Sequence, residues 1–326
     1  MQSRQLTKTI DNLTQWLFFS PIRAENGGIL SWNSPRADGF FYPEVTGYLL
    51  QLLLYLEQKN NDCRYLTESR KIYDCLLTCL KEQDGIIRQR NFCYVFDNGI
   101  ILRAMLSASS RLEVELPNDL LNKTLNFLIQ CLNNKTAGYP VEGQINDRHW
   151  SRIYSPHLLK ILPLLFNFPD QITNAKEIAL TMISDFHETL FVAPIYSHAM
   201  AYALEGVLWL NKEGFSGLDK IINRGLIILT DLQNEEGGIL NYSDQNPSRF
   251  PASDATAQAV RLWLLSDPAK YQTNILKALN FLLNHQIPGG GMLYGSKSPD
   301  QNSCATIFTV QALCFHLGAP KTEDLI

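Results

Sequence analysis

Apolar residues in this chain recur every three to four positions, and segments with one apolar face alternate with segments that are apolar nearly all round. Residues 3–19 set Leu6, Ile10, Leu13 and Leu17 on one stripe with Trp16 beside it, the spacing of an amphipathic helix. The next segment, Tyr42-Pro43-Glu44-Val45-Thr46-Gly47-Tyr48 and on to Leu54, is apolar on almost every side, and a helix of that kind has to be buried. One-faced segments recur at about 65–82, 117–133, 172–189, 216–233 and 270–286. The more uniformly apolar ones fall at about 94–110, 153–167, 195–211, 253–266 and 303–317. Outer helices thus alternate with inner ones, six of each.

A loop rich in glycine stands before each inner segment, at intervals of roughly 45 to 60 residues. The loops read Gly27-Gly28-Ile29-Leu30, Asp84-Gly85-Ile86-Ile87, Ala137-Gly138-Tyr139-Pro140, a degenerate Phe191-Val192-Ala193-Pro194, Gly237-Gly238-Ile239-Leu240 and Gly289-Gly290-Gly291-Met292. Such self-similarity marks a repeat architecture, because a helical hairpin that cannot bury its own apolar face leans on its neighbours. Six hairpins predict an all-α (α/α)6 toroid with inner and outer rings, a single domain over residues 1–326; an open superhelix is the alternative. Closure requires residues 3–19 to cover the face made by Ile307, Val310, Leu313 and Phe315 in the last hairpin.

All six inner helices are expected to start on one face, where free N–H groups and positive dipole ends suit polar or anionic ligands. Aligning those starts brings Glu44, Asp97, His157, His198 and Asp254 into register as candidate catalytic residues around one cavity, with Cys304 in the sixth place. Helix capping accounts for an acid at such a position. It accounts neither for two histidines nor for the aromatic residues that precede so many of the positions. Tyr42, Tyr48, Tyr196 and Tyr202 are expected near the ring, and Trp32 on its rim. Carboxylates that accept from hydroxyls, with aromatic faces to stack on a pyranose, suit a sugar. Arg36, Arg90, Arg152 and Arg249 are candidates to hold a ligand carboxylate by paired hydrogen bonds. His198 is singled out, since nothing in helix formation calls for imidazole there.

The net charge of −4 carries no block of like charges, which argues against nucleic acid as a partner. The N-terminus lacks the apolar run of a secretion signal, and no stretch of about 20 apolar residues follows, so a cytoplasmic protein without membrane contact is expected. Seven cysteines spread over helical segments do not make a disulfide framework. Cys75 and Cys79 lie four apart on a helix without further ligands, so they read as buried thiols, and no metal and no cofactor is expected.

The repeats resemble the six-hairpin glycosidase and sugar-epimerase superfamily, and more closely bacterial toroid proteins associated with polysaccharide biosynthesis. The likeness rests on Tyr42-Pro43-Glu44-Val45-Thr46-Gly47-Tyr48, Val95-Phe96-Asp97-Asn98-Gly99, the run from His198 to Gly206, Asp254-Ala255-Thr256-Ala257-Gln258-Ala259 and Leu279-Asn280-Phe281-Leu282. It implies an enzyme acting on a sugar or polysaccharide that bears uronic acid or amino sugar. Epimerase or lyase chemistry is favoured because two histidines occupy the ring; glycoside hydrolysis and a non-catalytic glycan-binding role are the alternatives. Terpene cyclases of the squalene type share the toroid, but their Asp-rich acid motif is reduced here to Asp254.

Overall fold

Residues 2–143, 149–246 and 248–326 are described in the computed structural model. In chain order its helices are α1 (Gln2–Phe19), α2 (Pro43–Asn60), α3 (Cys63–Glu82), α4 (Val95–Leu112), α5 (Asn118–Asn133), α6 (Leu162–Leu165), α7 (Ala175–Phe186), α8 (Ser197–Lys212), α9 (Asp219–Asp231), α10 (Ser253–Ser266), α11 (Gln272–Asn284) and α12 (Ser303–Leu317). The short strands are β1 (Trp32–Asn33), β2 (Phe92–Tyr94), β3 (Gly138–Pro140), β4 (Ile239–Leu240), β5 (Pro251–Ala252) and β6 (Gln301–Asn302). Every inner and outer segment read from periodicity has its helix, with one departure. The third inner segment is a 3-10 helix over Pro156–Ile161 followed by the single turn α6. Pro163 is the cause, since it supplies no N–H and its ring crowds the carbonyl four residues back.

The chain divides into two compact units. One comprises Ala24–Leu30, Phe41–Met182 and Ile326. In it α2 packs on α3 and α4, and α4 packs on α5 and on the 3-10 helix at Pro156–Ile161. β2 pairs antiparallel with β3, Tyr94 opposite Gly138, so the residues leading into α4 are held against the third loop. Gly138 has φ +134°, and a Cβ there would lie 1.8 Å from the Cys93 carbonyl oxygen. Only glycine fits.

The other unit comprises Met1–Arg23, Ser31–Phe40 and Ile183–Leu325. Here α10 packs on α8, α11 and α12, and α1 packs on α12. That last contact is the one expected of the first and last hairpins. Ile307, Val310, Leu313 and Phe315 are all buried, and the Trp16 ring fills the space beside Gly291. Extended residues before each inner helix are held by the loop of the following repeat: Tyr196 by Tyr242, Ala252 by Gly295, and β6 by β1 with Asn302 opposite Trp32.

A second repeated device fastens four of the loops to their own inner helices. Thr46 Oγ1, Thr256 Oγ1 and Thr306 Oγ1 accept from the N–H of Ile29, Ile239 and Met292 at 2.8–3.1 Å, and each donates to the carbonyl four residues back. Asn98 does the same work in the second repeat, accepting from Ile87 N–H and donating to the carbonyls of Ile87 and Tyr94. All four latches occupy the fourth helical position, which fixes the register of the helix starts. No helix among the described residues is long and apolar enough to cross a membrane.

Candidate functional site

The latches show which residues share a place in the repeat. Glu44, His198, Asp254 and Cys304 are each the second residue of an inner helix, and His157 is the second residue of its 3-10 helix. Asp97 is not in that register: it is the third residue of α4, and Phe96 holds the second place. One residue turns a helix by about 100°, so Asp97 leaves its helix on a different side from the others. The acids are not caps either. Tyr42, Tyr94 and Ala252 occupy the cap positions in extended conformation and make no side-chain cap bond.

All five candidate catalytic residues are buried. The structure gathers them into two groups, three in one unit and two in the other.

In the first unit Glu44 and Asp97 form a pair of carboxyl groups. Burial pushes Glu44 up to about 7; a hydrogen bond from Tyr42, the Lys160 charge and the neighbouring Tyr48 phenol pull the other way. Burial also raises Asp97 well above the usual carboxylate range, and the charge of Glu44 raises it further. Two buried carboxyls that oppose each other's ionisation share protons unequally, which is how one site can hold both an acid and a base. His157 is fully buried on α4's flank, its Nδ1 2.7 Å from Ser155 Oγ and its ring against Phe96 and Trp150 at 5.2 and 5.1 Å. Lys160, one turn further on, is buried, with its ammonium 5.3 Å from the centre of the Tyr48 ring and donating to the Ile326 main-chain oxygen at 2.5 Å.

In the second unit His198 Nδ1 lies 3.3 Å from Asp254 Oδ2, while Asp254 Oδ1 accepts from Ala255 N–H at 2.7 Å. The imidazole meets Tyr202 edge-on at 4.4 Å, with Phe308 behind at 6.3 Å. Tyr196 and Tyr294 bring their hydroxyls within 3.4 Å of each other, and Tyr242 lies tilted against Tyr196. Burial first and the Asp254 charge second make the Tyr196 phenol harder to ionise. For Tyr294 the Asp254 charge leads. Both phenols therefore stay protonated as donors. This group is a carboxylate–imidazole dyad with two neutral hydroxyls.

The remaining expected residues divide. Tyr42, Tyr48, Tyr196 and Tyr202 all stand beside candidate catalytic groups. Trp32 is half-buried, edge-on to Phe40 at 5.2 Å. Arg36 and Arg90 lie at exposed loop positions, and Arg249 is half-buried. Arg152 donates to the Tyr94 hydroxyl at 3.0 Å and covers Phe92, so it braces the entry to α4. Three residues escaped the sequence reading. Lys160 had a signal, being the only acid or lysine-type charge in an otherwise apolar inner segment; Tyr242 stands at the place Trp32 holds in its repeat; Tyr294 had none beyond following a glycine loop. Among the described residues no three His, Cys, Asp or Glu side chains come together to hold a metal ion.

No family model matches the chain, and no curated protein sequence matches it. Solved structures do. They include an unsaturated glucuronyl hydrolase specific for heparin, at 12% identity and TM-score 0.71 over 96% of each chain. Another is the unsaturated glucuronyl hydrolase of Bacillus sp. GL1, responsible for the degradation of glycosaminoglycan, at 13% identity and TM-score 0.71 over 95% of this chain and 96% of that one. The type II terpene cyclase MstE from Scytonema matches at 15% identity and TM-score 0.66 over 95% of this chain and 98% of that one. Likeness at such identity carries the fold. The fold class is the all-α, six-hairpin (α/α)6 toroid, as the repeats predict.

Proposed function

We propose that the chain is a carbohydrate-active enzyme of the glycoside hydrolase type, acting on a sugar or polysaccharide that carries uronic acid. The observation that carries this reading is the buried Glu44–Asp97 pair, in which one carboxyl is pushed up to about 7 and the other well above the usual range. Hydrolysis of a glycosidic bond asks for two carboxyl groups in different protonation states. Lys160, Tyr42 and Tyr48 all favour the ionised form of Glu44, whereas Asp97 is pushed up by Glu44 itself. Asp97 then holds the proton that reaches the leaving oxygen, and Glu44 takes the proton of the attacking water.

Hydrolysis is preferred to the epimerase or lyase chemistry expected from the two histidines. His157 is engaged with Ser155 and His198 with Asp254, which suits positioning more than proton abstraction from carbon. The glucuronyl hydrolases among the similar folds support the same choice and supply the substrate class.

The test is turnover of oligosaccharides ending in an unsaturated uronyl residue, beside saturated uronides and neutral glycosides, followed by release of reducing sugar. Activity should rise with pH as Glu44 ionises near 7. Glu44→Gln and Asp97→Asn should each lower kcat by at least ~100-fold with the fold intact. Activity at the wild-type level in both carboxyl variants would remove the pair from the chemistry; turnover of a prenyl substrate instead of any glycoside would move the chain to the cyclase reading.

A further inference from the structure

The unit that holds Glu44 and Asp97 contains a cavity of about 210 Å³ that none of the candidate catalytic residues lines. It lies between the end of α5, the residues before the 3-10 helix at Pro156–Ile161, and the first two turns of α7. Asn174, Glu177, Ile178 and Thr181 all line it, and their spacing puts them on one helical face. The buried part of the lining is apolar, from Leu132, Ile178 and Met182. Toward water it is polar: Lys135 and Glu177 are exposed, and Asn174 and Tyr154 are half-buried. An apolar floor under a few convergent polar groups is the make-up of a small-molecule site. The volume falls below the roughly 300–1,000 Å³ of pockets that enclose drug-sized ligands, so the occupant is smaller than those. Lys135 is the one base of the lining and Glu177 the one acid, so no net charge selects an anion or a metal ion. An ammonium only donates, a carboxylate only accepts, and an amide does both. A pyranose answers all three with its hydroxyls, while its C–H face covers the apolar floor or the Tyr154 ring.

We propose that this cavity is a second sugar-binding site, which takes a single pyranose unit and holds the glycan apart from the carboxyl pair. The inference takes its ligand class from the carbohydrate reading above and assigns a site that the reading does not use. Glu177 and Asn174 accept from sugar hydroxyls, Lys135 donates to a hydroxyl oxygen, and the Met182 side chain lies under the ring.

The experiment follows the isotope-labelled methionine methyl groups of the full chain by NMR, during titration with methyl glucoside, methyl glucuronide and inorganic phosphate. Met182 lines the cavity, whereas Met105, Met200 and Met292 are buried elsewhere, so the Met182 signal, assigned with Met182→Leu, places binding at this site. One or both glycosides should shift that signal to saturation, and phosphate should leave it in place. Glu177→Ala should raise the Kd read from Met182 at least fivefold with the other methyl signals unmoved. Three results overturn the proposal: a Met182 signal that neither glycoside moves, a shift by phosphate equal to that by sugar, or wild-type affinity in both Glu177→Ala and Tyr154→Ala. The first two need no variant, so they stand if a variant folds poorly. Failure here is separable from failure of the hydrolase reading. Glycosides cleaved while Met182 stays silent would sink only this site, whereas a Met182 response without cleavage of any glycoside would sink only the chemistry.

Discussion

A carboxyl group that ionises near neutrality inside a protein makes the fold sensitive to pH as well as the reaction. Glu44 ionises at about 4.5 in the unfolded chain and at about 7 in the folded one. Between those values the folded state holds the extra proton, so stability is full below about pH 4.5 and is lost as pH rises through 7. A shift of that size corresponds to about 3 kcal/mol. Asp97 is displaced in the same direction and adds to the loss. Urea unfolding between pH 5 and 8 should therefore show falling stability, and Glu44→Gln should flatten the slope by removing the titrating group. An unchanged slope in that variant would mean that Glu44 is not the buried acid described here. At this scale the sequence was partly legible. Glu44, His198 and Asp254 announce themselves because an acid or imidazole at an otherwise apolar helix start has no packing purpose. The one-residue offset of Asp97 was hidden, since only the Asn98 latch reveals it.

Between neighbouring elements, stability depends on how each glycine loop is tied to its inner helix. Thr256 Oγ1 accepts from Ile239 N–H and donates to the Ala252 carbonyl, all three groups being buried. Valine keeps the shape and loses both bonds. Leaving the Ile239 donor unmet should cost about 1–3 kcal/mol, read by chemical denaturation. Thr256→Ser keeps both bonds and should lose less than half as much. Equal losses in the two variants would show that the methyl group, and not the latch, is what matters. The alternation of outer and inner helices was readable because it needs only local periodicity. The third inner helix was not, because the apolar run at 153–167 has helical spacing while Pro163 denies it a regular helix.

Ring closure made the α1–α12 contact legible, but the side-chain partners that join distant inner helices lay beyond the sequence reading. Arg261 is fully buried, with its guanidinium 2.5 Å from Glu205, 2.7 Å from Gln311 and 4.3 Å from the centre of the Phe308 ring, so an ion pair joins α8 to α10 while a hydrogen bond and a ring face tie both to α12. Nothing local marks it, since its partners are 56 and 50 residues away. Glu205→Gln should cost about 3–5 kcal/mol, because it strands a buried charge, while Glu205→Leu with Arg261→Met should recover most of that loss. Reading residues 1–326 as one domain makes the last prediction. The two compact units exchange the chain after residues 23, 30, 40, 182 and 325, so neither is a continuous stretch that can fold first and alone. Trp150 is the sole tryptophan of one unit, and Trp263 is buried in the other. With the remaining tryptophans replaced by phenylalanine, each reports its own unit by fluorescence. Thermal and urea transitions seen from Trp150 and from Trp263 should coincide, and the calorimetric and van't Hoff enthalpies should agree. Transitions separated by more than the error of the midpoints would divide the chain into two domains, because units that unfold independently do not share the cooperative core that a single domain requires.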